Sequence, residues 1–210
     1  MELAIDKFEG DRIGCITGSK CSVLFPDKGD GKVGQTTYAE QLAMQRYFNF
    51  YDESGGGWQT EHGQMAEVFA HSFYQKHFNS EVKNGSFKRI EEWAGTIDAE
   101  EEKAGIDYKC PTTLHKWLSY LKGIDKAQKY QGQLYMFLFD KPVWKFCAYL
   151  LETEYMNNLG LVYPVPHNKR MIIVEEKKDP TFKAKLEMNS PFVIKERDKF
   201  IEILKQTFEK

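Results

Sequence analysis

The chain has 210 residues, of which 41% are hydrophobic and 29% charged, with a formal net charge of -2. This suits one soluble domain over residues 1–210 with a substantial core, and it excludes a globally basic coat: a DNA enzyme with this balance must gather its Lys and Arg in one groove. The longest apolar runs, such as Met171-Ile172-Ile173-Val174, are too short to span a bilayer, and no charged-then-apolar leader opens the chain, so a cytoplasmic protein without membrane contact is expected.

In chain order, Gly18 to Phe25 reads as a short helix stopped by Pro26. A loop, Asp27 to Gly34, carries three glycines and two lysines, Lys28 and Lys32. Thr36 or Thr37 then caps a helix, with Glu40 completing a capping box and Leu42, Tyr47 and Phe48 on the apolar side. Ser54-Gly55-Gly56-Gly57 breaks it. A third helix runs from about His62 to Phe78, with Met65, Val68, Phe69 and Phe73 at helical spacing. Asn84-Gly85 turns the chain into a strand meander from about Phe87 to Cys110, with Ala99 to Lys103, including the acid run Glu100-Glu101-Glu102, as a solvated turn. Pro111 ends the meander, and Thr112 or Thr113 caps a short helix through Tyr120. A helix from about Asp125 to Phe139 follows. Strands are expected at Trp144–Leu151 and Met171–Val174, then a charged helical tail from Asp179 broken at Ser190-Pro191. The order of helices and strands predicts a mixed α/β fold. The four cysteines, Cys15, Cys21, Cys110 and Cys147, fit no zinc or iron–sulfur spacing and read as reduced thiols.

The chemistry concentrates in Asp98 and in Asp107-Tyr108-Lys109. Strand side chains alternate, so Asp107 and Lys109 share a face and Tyr108 points away. Two carboxylates, one ammonium and the Tyr108 backbone carbonyl suit Mg²⁺ or Mn²⁺ and an activated water, with Lys109 as orienter or, with a depressed pKa, as base. By itself, an Asp and a Lys two apart are more often a solvated strand face.

Four segments in order make the pattern specific. Arg12-Ile13-Gly14-Cys15-Ile16-Thr17-Gly18-Ser19, His62 to Ala70 with Glu67, the hairpin from Gly95-Thr96-Ile97-Asp98 to Asp107-Tyr108-Lys109-Cys110-Pro111, and Tyr130-Gln131-Gly132-Gln133 together resemble the lambda exonuclease and YqaJ-type viral recombinase family of PD-(D/E)XK nucleases. The hairpin departs from that family at Ile97 (usually proline), Ala99 (often glycine) and Asp107 (more often glutamate). The match covers Arg12 to about Phe139.

The resemblance implies a restriction-endonuclease-like core with a mixed sheet flanked by helices. It implies a Mg²⁺-dependent deoxyribonuclease, with Mn²⁺ able to substitute, that resects linear double-stranded DNA from the 5′ end and leaves 3′ tails for recombination. Glu67, Asp98, Asp107 and the Tyr108 carbonyl would hold metal. Lys109, and Gln133 as the match to the second glutamine of the family's Gln-x-Gln helix, would handle water and phosphate; two glutamines at i and i+2 cannot both face the centre, so only one of them is expected to act there. Arg12, Thr17 and Ser19 would grip the terminal 5′-phosphate, a role suited to a guanidinium fork and to hydroxyls at a helix start. It further implies a homotrimeric ring threaded by DNA, a single-strand annealing partner of the RecT/Beta type, and a phage or prophage origin in a bacterial cell. Lys28, Lys32, Lys116, Lys122, Lys126 and Lys129 are candidate phosphate contacts, and Trp58 and Trp117 candidate wedges at a DNA end. The alternatives are an endonuclease of restriction or repair type and a non-catalytic DNA-end-binding protein.

Overall fold

The computed structural model describes residues 9–26, 31–50, 58–151 and 163–209, except for the side chains of residues 9, 10, 58–62 and 64. Lys28 and the Trp58 side chain lie outside the described residues. Among the described residues the α-helices are α1 (Glu9–Arg12), α2 (Lys32–Phe48), α3 (Trp58–His77), α4 (Leu114–Ser119), α5 (Lys126–Phe139) and α6 (Phe182–Phe208). The strands are β1 (Ile16–Thr17), β2 (Lys83–Asn84), β3 (Phe87–Ile90), β4 (Trp93–Thr96), β5 (Ala99–Glu100), β6 (Ala104–Lys109), β7 (Val143–Tyr149) and β8 (Met171–Lys177). Two mixed sheets form, ordered β1-β4-β3 and β2-β5-β6-β7-β8. Within them, β1 runs parallel to β4 and β6 parallel to β7. A parallel neighbour needs a crossover, which α4 and α5 supply between β6 and β7.

β6 separates two layers. Ile106 and Tyr108 pack into an apolar cluster with Ala66, Ala70, Phe73 and Tyr74 of α3. On the opposite side, the main core joins Leu134, Tyr135 and Leu138 of α5 to Trp144 and Phe146 of β7 and to Leu42 and Leu186. Asp107 and Lys109 therefore look toward α5. The close fit of α5 is visible at two glycines: a Cβ on Gly95 would meet the Tyr135 ring at 2.3 Å, and one on Gly18 would meet it at 2.4 Å.

Local chemistry explains most element ends. The Thr113 side chain accepts from the Lys116 N–H at the start of α4. Asp125 and Gln128 form a reciprocal capping box at α5. Other ends differ from the sequence reading. α2 begins a full turn before Thr36, with Gly31 in a left-handed conformation before it, and Thr37 Oγ1 instead donates back to Val33 O at 3.1 Å. Gly18–Leu24 is a 3₁₀ rather than an α-helix. α6 runs unbroken through Pro191, because Ser190 and Val193 are buried around it and packing along the core outweighs one missing N–H bond. On α3, Val68 and Phe69 are 38% and 47% exposed, and the small residues Ala66 and Ala70 face the core. Glu101 is no solvated turn residue: it accepts from Tyr74 Oη (2.6 Å), Asn79 Nδ2 (3.1 Å) and Lys145 Nζ (2.7 Å), which binds the β5–β6 turn to α3 and β7. The four cysteines are free thiols. No helix among the described residues is long and apolar enough to cross a membrane.

Candidate active site

Asp98 lies in the bend between β4 and β5, directly opposite β6. The Tyr108 backbone N–H donates to its Oδ2 at 2.6 Å, so the bend and strand are fastened at the level of the second acid. Asp107 is 5% exposed, and its Oδ2 lies 2.7 Å from Lys109 Nζ without receiving a well-directed hydrogen bond. A buried carboxylate oxygen so placed retains acceptor capacity for a further cation or donor.

Glu67 approaches from α3. Burial and then the charge of Asp107 push its carboxyl up to about 7, against the opposing pull of Lys109. Asp98 is also held well above the usual carboxylate range, by burial first and then by Glu67 and Asp107. Three acids thus share one locality with a single ammonium. Burial disfavours the Lys109 charge, but Asp107 and Asp98 outweigh it and raise its pKa. That direction is opposite to the depression a general base needs. Cys110 follows directly, and burial and the nearby acids raise its thiol pKa well above the ordinary value, which disfavours the thiolate.

The donor set fits a hard divalent cation: carboxylate oxygens in excess of local positive charge and one under-used oxygen on Asp107. Among the described residues no group of three or more His, Cys, Asp or Glu side chains is arranged so that it could hold a metal ion.

The expected glutamine is corrected. Gln133 is buried on the other side of α5, where its Nε2 donates to Lys177 O (2.8 Å) and Glu176 Oε1 (3.3 Å) and its Oε1 accepts from the Asp179 N–H (2.8 Å). It fastens α5 to the end of β8. Gln131 faces the acids instead: its Oε1 accepts from Lys109 Nζ at 3.4 Å, and its Nε2 reaches Tyr135 Oη at 3.5 Å. The i,i+4 spacing of Gln131 and Tyr135 puts both on one face, but which face meets the acids is set by the packing of Tyr135 against Gly18 and Gly95.

The Arg12 segment adjoins this centre. β1 pairs with β4 through Ile16–Trp93 and Thr17–Ala94, and Arg12 Nη2 donates to Thr96 Oγ1, two residues before Asp98. Thr17 Oγ1 and Ser19 Oγ are 3.4 Å apart. Gly18, between them, packs on Tyr135. A string of contacts therefore leads from Gly18 through Tyr135 and Gln131 to Lys109.

The other candidates separate. Trp117 is buried, its Nε1 donating to Ala148 O at 3.0 Å, so it is a core residue rather than a wedge. Lys126 and Lys129 line a cavity of about 480 Å³ on the Gln133 side of α5, away from the acids. Lys126 Nζ donates to Phe25 O and Lys129 pairs with Glu176. Lys32, Lys116 and Lys122 are exposed. A second cavity of about 560 Å³ lies between the ends of α2 and α6. Neither cavity is lined by Glu67, Asp98 or Asp107.

No family model and no curated protein sequence matches the chain. Solved structures do. An alkaline exonuclease from Laribacter hongkongensis, LHK-Exo, superposes with a TM-score of 0.76 at 17% identity, covering 96% of this chain and 97% of that one. The same enzyme in complex with dAMP gives 0.76 at 18% identity over the same shares. A phage-related exonuclease from Haemophilus somnus 129PT gives 0.75 at 19% identity, covering 90% of this chain and 96% of the other. At such identities the likeness establishes the fold: a restriction-endonuclease-like α/β core shared across nearly the whole chain.

Proposed function

We propose that this chain is a metal-dependent deoxyribonuclease that degrades linear duplex DNA from its 5′ ends. The observation that carries the reading is the fastening of Asp98 to the Asp107-Tyr108-Lys109 strand, on a fold shared with solved exonucleases. That one such fold is recorded with dAMP supports a site able to take a nucleoside monophosphate, the unit an exonuclease releases.

Asp98, Asp107, Glu67 and the Tyr108 carbonyl would hold Mg²⁺ or Mn²⁺. When bound, the metal supplies a lowered pKa for water and a counter-charge for the phosphate. Lys109, held protonated by Asp107 and Asp98, offers its ammonium to the non-bridging oxygens of the scissile phosphate, where negative charge grows. Gln131 keeps that ammonium in place. Arg12, Thr17 and Ser19 would receive the terminal 5′-phosphate. A closed homotrimer, delivery of the 3′ tail to an annealing protein of the RecT/Beta type, and a phage-borne role in the bacterial cytoplasm extend the same reading.

The test is a duplex labelled separately at each end, incubated with Mg²⁺. Early release of the 5′ label as mononucleotide, with the 3′ label retained and closed circles spared, is expected. Rapid nicking of closed circles would favour an endonuclease, and binding without cleavage a silent end-binding protein.

A further inference from the structure

We propose that His71 is a positioning residue that acts through Tyr108 to hold the helix bearing Glu67 in register with the strand bearing Asp107 and Lys109. This rests on the nuclease reading and deepens it.

Glu67, His71 and Tyr74 fall at i, i+4 and i+7 of α3 and so form one stripe along the helix. Glu67 addresses the carboxylates. His71 Nδ1 and Tyr108 Oη are 3.2 Å apart, and either can be the donor. Tyr74 Oη donates to Glu101 Oε1 at 2.6 Å. Ala66 and Ala70, both fully buried, let the helix backbone approach the sheet closely enough for these bonds.

Tyr108 is unusual in being committed at both ends. Its backbone N–H holds Asp98, its neighbours are Asp107 and Lys109, and its side chain crosses to the α3 layer. Tyr108 is 3% exposed, and its ring meets the His71 ring edge-on, with centroids 5.9 Å apart and planes at 86°. The His71–Tyr108 bond therefore joins the helix that brings one acid to the strand and bend that bring the other two. A slip or rotation of α3 would move Glu67, one turn away, and would strand a buried hydroxyl. Groups that orient metal-holding side chains without touching the metal are worth about 10- to 100-fold in affinity or turnover.

The test uses the DNA-free protein and Mn²⁺, with affinity read from the electron paramagnetic resonance of free ion, alongside kcat and KM on linear duplex. His71→Leu and Tyr108→Phe should each weaken Mn²⁺ binding and lower kcat by about tenfold while leaving KM for DNA ends unchanged. His71→Gln, which keeps a hydrogen-bonding group, should recover to within about twofold, and the double variant should be no worse than either single one. Lower melting temperatures with unmoved Mn²⁺ affinity and kcat, or additive losses in the double variant, would overturn the inference. Wild-type protein that binds Mn²⁺ but cuts no DNA would sink the nuclease reading and leave His71 to be judged on affinity. Wild-type protein that cuts DNA, with variants equal to it, would sink His71 alone. No Mn²⁺ binding and no cleavage would remove both.

Discussion

Gln131 and Lys109 meet across 3.4 Å, the amide oxygen of one facing the ammonium of the other. Gln133, two residues on, is turned away and makes its three hydrogen bonds to the β8 end. The two glutamines should therefore fail differently when truncated. Gln131→Ala should lower cleavage about 10- to 100-fold with little change in melting temperature. Gln133→Ala should cost about 1–3 kcal/mol of stability while the surviving folded enzyme stays active. Steady-state cleavage and thermal melts on both variants check this.

The glutamine pair also shows what a sequence can and cannot carry. The order of acids and lysine, the capping of α4 by Thr112 or Thr113 and the strand at Asp107 were legible because they depend on near neighbours and a two-residue period. Which glutamine faces the acids depends on the absolute rotation of α5, and that is fixed by Tyr135 nesting against Gly18 and Gly95, both distant in sequence. The same holds for Glu101, whose partners come from α3 and β7, and for Pro191, whose helix survives through packing that no local rule contains.

Tyr135 is 7% exposed. Gly95→Ala puts a methyl 2.3 Å from it, and Gly18→Ala does so at 2.4 Å. Each should destabilise the protein by about 1–3 kcal/mol through overpacking, read as a lower denaturant midpoint. Because Tyr135 leads to Gln131 and Lys109, both variants should also lose activity under conditions where they remain folded.

Arg197 is 1% exposed and ion-paired to Glu92, which Arg46 also contacts. Burial pushes the Glu92 carboxyl up, but the hydrogen bonds and charges of Arg197 and Arg46 outweigh it and hold the pKa below its ordinary 4.5. An acid with a lowered pKa in the folded state contributes stability that is complete above its unfolded value and is lost as pH falls through the folded one. Glu92→Gln should cost about 1–3 kcal/mol at neutral pH, and the gap from wild type should close as pH drops below about 4.5. Urea titrations at stepped pH read both effects.

Burial and mutual repulsion raise the Glu67 and Asp98 carboxyl pKa values, so charging these groups works against the cation-free fold. Asp98→Asn keeps an oxygen for the Tyr108 N–H and removes a charge, so it should leave the cation-free protein as stable as wild type or more so. Mn²⁺ at about a hundred times its dissociation constant should stabilise wild type by about 2.7 kcal/mol and the variant by much less. Melting curves with and without Mn²⁺ decide between these outcomes.

The most direct measurement of the central claim compares wild-type protein with Asp98→Ala and Lys109→Ala on 5′-phosphorylated linear duplex and Mg²⁺, with circular dichroism to verify folding. Digestion by wild type, abolished by chelation and lost in both folded variants, is the predicted result. Full activity in the two variants would contradict the assignment of the Asp98–Lys109 centre.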